Sequence, residues 1–265
     1  MLSTPRRTIL SLNYARAGGL LLTLCFCSLV LVAETSGSKR LAGAVICRTE
    51  LDRNRREELA AKLRKISGWP DLTFDGAGIL RQGTREPVGG SKSARELLTK
   101  VMLGTNAVVL ENASRNSDVV FMRVIPGQWR TIKGPPAFVI QIDFADFDQV
   151  IGDQAALQAF DVGWGLLHEL DHIANDSQDP NSFGETGACE KRINQMRVEC
   201  NLPQRIDYFY TFSPLTQNTT SATKLVRLSF EDVRPGSNKK QRYWIVWDAN
   251  LVGGLDRQKE LAALR

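Results

Sequence analysis

The sequence predicts an α+β fold: a small mixed or antiparallel sheet, two helices packed against it, and a C-terminal β-hairpin. Three observations point to it. Runs of strand character at 107–111, 119–124 and 138–144 follow one another between Gly, Pro and Asn breaks. Around Trp164, the apolar residues Phe160, Val162, Leu166, Leu167, Leu170 and Ile173 supply the broad surface of a buried helix. Two further strand-like runs, 225–230 and 242–247, flank a Pro235-Gly236-Ser237-Asn238 turn. The chain has 265 residues, 43% of them hydrophobic, which suffices for a sizeable core, and residues 49–265 are read as one domain.

Residues 1–33 stand apart. Arg6, Arg7 and Arg16 precede or open an apolar run over 18–33, and Ala33, Ser36 and Gly37 supply small residues after it. This is the pattern of a secretory signal peptide, the alternative being an uncleaved amino-terminal anchor. The expected location is therefore secreted, periplasmic or at the cell envelope, with membrane contact only through that segment if it is retained. Residues 34–48 form a linker and the start of the mature chain. Removing the three arginines takes the formal charge from +5 to +2, which leaves no basis for a nucleic-acid partner. Cys47, Cys189 and Cys200 then remain, allowing at most one disulfide.

Taken in order, Thr49 is placed to cap a helix over 50–66, stopped by Ser67-Gly68 and Pro70. Residues 71–90 read as short strands and turns. Gly89-Gly90-Ser91-Lys92-Ser93 lacks the full glycine spacing of a phosphate loop and reads as a serine cap before a helix over 94–103. The run 138–144 alternates Phe138, Ile140, Ile142 and Phe144 inward, and it is expected to be an edge strand. Residues 146–159 hold a loop and a short helix. A polar loop over 175–184 leads to a helix of about fifteen residues, closed by Asn201-Leu202-Pro203.

The chemistry sits in His168-Glu169-Leu170-Asp171-His172, which contains the only two histidines of the chain. Four residues are just over one helical turn, so both imidazoles project from one face and can share one ion, zinc being the expected cofactor. Glu169 falls in the general-base position. The competing reading is a core helix whose histidines are merely hydrogen-bonded. A catalytic zinc site needs a third protein ligand, and with no third histidine it must be a carboxylate or a thiolate. Glu190, 18 residues beyond His172, is the first candidate, Glu185 the alternative, and Cys189 a third. Glu185 equally reads as a capping box with Ser182. Asp176 either orients an imidazole from behind or simply ends the helix, and Asp171 points off the ligand face.

His168-Glu169-Leu170-Asp171-His172 with Asp176 resembles the active helix of thermolysin-like gluzincins. Glu185, Asn194-Gln195-Met196-Arg197-Val198-Glu199 and Leu202-Pro203-Gln204-Arg205 are similar to the short zinc-peptidase modules at the ends of bacterial effector and polymorphic-toxin chains. The resemblance covers about residues 160–210. It implies a zincin fold, zinc held by His168, His172 and a glutamate, and Glu169 as base. Peptide deformylases share His-Glu-Leu-Asp-His, but their upstream cysteine and glycine motifs are missing here. The expectation is an exported zinc-dependent metalloendopeptidase acting on a protein or peptide substrate, with the 138–144 edge holding substrate and Tyr208 or Tyr210 as oxyanion stabiliser. The alternative is a non-catalytic exported binding or interaction protein with a structural or degenerate metal site.

Overall fold

The computed structural model describes residues 42–116, 118–127, 136–182, 184–212, 225–232 and 240–252. The apolar run within 1–33 and the 235–238 turn lie outside them. The described residues fall in one compact α+β unit. Among them no helix is long and apolar enough to cross a membrane.

Thr49 does not cap the first helix. Asp52, in extended conformation, accepts from the Arg55 amide at 2.9 Å, so α1 runs Arg53–Ser67. It stops at Gly68, whose φ of 75° is left-handed and whose Cβ position would lie 2.3 Å from the Gly89 carbonyl oxygen. Before it lies β1 (Val45–Cys47), and after it a two-strand ribbon, β2 (Thr73–Phe74) with β3 (Leu80–Arg81).

Helix α2 (Lys92–Met102) is capped by Ser91, as the sequence suggests. The anion-seeking end of this helix is answered from within the chain. The Glu199 carboxylate accepts from Ser91 Oγ (2.6 Å), the Ser93 amide (2.9 Å) and Ser93 Oγ (2.6 Å). Although burial works against it, these bonds hold the Glu199 carboxyl down at about 2. A carboxyl depressed in the folded state contributes stability above its unfolded value and loses it as pH falls from about 4.5 toward 2. Glu199→Ala should therefore cost about 1–2 kcal/mol at neutral pH. It should also flatten that acid limb, as read by urea midpoints against pH.

The main sheet has strand order β1-β4-β6-β5, where β4 is Ala107–Asn112, β5 is Met122–Pro126 and β6 is Ala137–Ile142. The first three strands are parallel, and β5 runs antiparallel to β6 with Val124 opposite Ile140. This corrects the expected edge: β6 is paired on both sides, and β5 is the outer strand. Strand character also ends earlier than the alternation implied. Asp143 accepts from the Asp146 amide at 3.0 Å and starts a short helix, α3 (Phe144–Asp148).

Helix α4 (Gln154–Ala159) follows β7 (Ile151–Gly152). Helix α5 (Val162–Asn175) is capped by Asp161, which accepts from Gly163 (2.9 Å) and Trp164 (3.3 Å). Apart from Gly165 it is buried from Val162 to Asp171, between α1, α2, β5 and α6 (Gly187–Glu199). Its leucines join Leu98, Leu110 and Ile140 in the larger core. The second sheet is built on the antiparallel pair β10 (Leu225–Asp232) and β11 (Gln241–Asp248), from Leu225 opposite Asp248 to Asp232 opposite Gln241. Strands β7, β8 (Gln204–Arg205) and β9 (Thr211–Phe212) extend it, and it carries a core of its own around Val226, Phe230, Ile245 and Trp247. Cys47, Cys189 and Cys200 are all free thiols.

Candidate metal and active site

His168 and His172 lie on one face of α5, with ring centroids 4.8 Å apart. Each imidazole is oriented through Nδ1. That of His172 donates to the Ser177 carbonyl at 2.6 Å. That of His168 faces Glu190 Oε2 at 3.2 Å and Cys189 Sγ at 3.3 Å. With the proton on Nδ1, each neutral ring keeps its Nε2 lone pair available. The two Nε2 atoms converge on one oxygen, Asp179 Oδ1, at 3.1 and 3.4 Å. Donors about 2.1 Å from a tetrahedral ion are about 3.4 Å apart, so the two Nε2-to-Oδ1 spacings fit a shared ion as well as a pair of hydrogen bonds.

Asp179, and not Glu190, is the carboxylate that both Nε2 atoms approach. It lies in the loop after α5, whose start is pinned by Asp171. That buried carboxylate receives Ser177 Oγ (2.7 Å), Asn175 Nδ2 (2.6 Å) and a two-pronged grip from Arg192 (2.8 and 2.6 Å). Asp171 is thus structural, as expected. The two imidazoles and Tyr208 hold the Asp179 carboxyl far below the usual carboxylate range, outweighing burial. His168 is held well above its ordinary value: burial favours the neutral ring, but hydrogen bonds to Asp179, Cys189 and Glu190 prevail.

Glu190, expected as third ligand, sits behind His168 rather than between the rings. It is 1% exposed and bonded to the buried Arg197 and, at 3.4 Å, to Arg205 Nη1. Coulombic attraction to these guanidiniums keeps it ionised despite burial. Glu185 is exposed and caps nothing, because α6 begins only at Gly187. Asp176 is exposed in a left-handed conformation at the helix end (φ 49°), and Ser177 supplies the contact to His172 that Asp176 was a candidate to make. Cys189 clusters with the two imidazoles, ligand atoms within 4.8 Å. Its sulfur nevertheless faces Nδ1 and the carbonyl of His168, away from the Nε2 atoms, and burial pushes the thiol up to about 11.

Glu169 is 8% exposed and flanked by both imidazoles. Burial raises its carboxyl above the ordinary value, and the two imidazoles and the Val124 amide pull it back. That amide belongs to the outer edge of β5. The bonds Asp143 N to Phe121 O and Gly127 N to Ala137 O turn the odd residues of β5 toward β6, so Val124 faces outward. Tyr208 closes the other side, its ring stacked on His168 at 6.0 Å and its hydroxyl bonded to Asp179. Burial, then Asp179, keep that phenol protonated well above its usual range.

The sequence reading missed Asp179, and it quoted Arg197 and Arg205 as motif positions without giving them a role. The signal for Asp179 was an aspartate seven residues after His172 and next to Pro180, in a loop read only as a connection. No protein-family model, curated protein or solved structure matches the chain.

Proposed function

We propose that this chain is a zinc-dependent hydrolase of peptide bonds with a zincin-like arrangement, zinc being held by His168, His172 and Asp179. The observation that carries this reading is the convergence of both Nε2 atoms on Asp179 Oδ1, with Glu169 at their side. When bound, zinc supplies Lewis acidity toward water and the scissile carbonyl. Glu169 takes the proton of the attacking water and returns it to the leaving amine, a task suited to a carboxyl whose pKa burial has raised. Tyr208 donates its one hydroxyl proton to Asp179 and stabilises developing negative charge on the carbonyl oxygen only by redirecting that bond. The outward edge of β5 offers carbonyls to a substrate but no amide, since Val124 donates to Glu169, Met122 donates to the Val120 carbonyl and Pro126 has none. An N-terminal export signal belongs to the same proposal.

The competing reading, an exported binding or interaction protein with a structural metal, needs four protein ligands on one ion. Cys189 is the nearest further donor, and its placement on the Nδ1 side of His168 argues against that closed set.

Asp179→Ala tests the assignment. The variant should retain the wild-type circular dichroism spectrum, lose stoichiometric zinc and lose cleavage of a peptide library. The wild-type protein should hold one zinc per chain by mass spectrometry. An Asp179→Ala protein that keeps zinc at wild-type affinity would remove Asp179 from the ligand set. A zinc-loaded wild type that cuts no peptide would remove the hydrolase.

A further inference from the structure

A cavity of about 460 Å3 opens beside His168 and Glu169. Its walls are rings from separate parts of the chain: Phe121, Phe147, Phe160, Trp164, Tyr210 and Trp247. Its floor includes Gly165, which precedes His168 by three residues and Glu169 by four and so shares their helix face. A Cβ there would lie 3.1 Å from Phe147 Cζ and 3.4 Å from Met122 Cε, so any longer side chain would enter the space.

The wall is built under strain. Phe121 has φ of 60°, a conformation that bulky residues rarely adopt. Its amide donates to Asp146 Oδ2 (2.9 Å) and its carbonyl accepts from Asp143 (2.8 Å). So fixed, its ring meets Phe147, Phe160 and Trp247 at 5.1–5.2 Å, tilted or edge-on. Rings presented in this way complement one more ring. The charged groups nearby are already engaged: Arg197 with Glu190 and over Trp164, Arg205 with Glu190 and over Tyr208. A charged guest would give up hydration without gaining a partner, and an alanine would leave the space unfilled.

From this geometry we infer that the cavity receives a substrate side chain next to the scissile bond and selects a large aromatic one, Phe, Tyr or Trp. The inference rests on the hydrolase reading, because it takes Glu169 as the reacting centre.

The test measures binding and cleavage separately on the full chain. N-acetyl-phenylalanine amide and N-acetyl-alanine amide are titrated by NMR into wild type and Gly165→Leu, and the same preparations are given a peptide library. The aromatic amide should bind wild type roughly tenfold or more tightly than the alanine amide. Gly165→Leu should abolish that difference, and cleavage should concentrate beside aromatic residues. Aromatic preference in binding without any cleavage keeps the pocket and removes the hydrolase. Cleavage indifferent to rings, or equal binding of the two amides, overturns the pocket. Should Gly165→Leu not fold, Gly165→Ala is expected to lower the preference severalfold, and an unchanged preference there also overturns it.

Discussion

Glu169→Gln is expected to lower peptide cleavage by about 10²–10⁴-fold while leaving zinc content at the wild-type level. The amide has the shape of the carboxylate, and its oxygen can still accept from the Val124 amide. It cannot take a proton from water. Burial among the two imidazoles and β5 makes this side chain part of the packing as well, which is why the isosteric change is the informative one. Cleavage rates and metal content measured on the same sample decide the matter. A variant that loses zinc together with activity would make Glu169 structural, and one that cuts normally would remove it from proton transfer.

Glu190→Ala is expected to cost about 3–5 kcal/mol of folding stability, read from urea or guanidinium midpoints, with or without a chelator present. The cause is a stranded charge. Arg197 is 2% exposed, and its guanidinium has Glu190 as its carboxylate partner, beside bonds to Asn194 Oδ1 (2.8 Å) and the Ala159 carbonyl (2.8 Å). Removing the carboxylate leaves that cation desolvated and Arg205 without its ion pair. Glu190→Gln keeps the shape and some of the hydrogen bonding and should fall between wild type and alanine. The sign against pH follows from the depressed carboxyl. Its contribution is complete above about 4.5 and fades as acid protonates it. The contrast with Asp179 separates the two acids: one change removes the ion from an intact fold, the other weakens the fold itself.

Much of this was legible from local pattern. The His168–His172 spacing fixes a shared helix face whatever surrounds it, and Ser91 could be read as a cap because capping is a matter of three or four neighbouring residues. The C-terminal strand pair was visible as two strand-like runs around a turn and forms as eight paired residues on each side. What failed to show depends on contacts between distant residues. Strand β6 looked like an edge because the antiparallel return of β5 is not encoded in its own alternation. Thr49 and Asp52 are both acceptable caps by residue type, and only the packing of α1 decides between them. Glu190 was favoured as a ligand because it lies on the next helix. Its true surroundings are set by Arg197, two turns on along the same helix face, and by Arg205 beyond the Leu202-Pro203 bend. Asp179 was passed over because loop residues carry no periodicity, and only the fixing of Ser177 by Asp171 and His172 brings that loop back over the imidazoles.

The two cores described above divide the molecule's duties. The imidazoles and Asp179 hang from the helix-and-sheet body, whereas Leu228 and Trp247 of the terminal strand pair complete the ring-lined chamber. On the proposed reading, heating that loosens the strand pair before the body should blunt peptide discrimination at temperatures where zinc is still held, as cleavage selectivity and metal content measured along one melt would record.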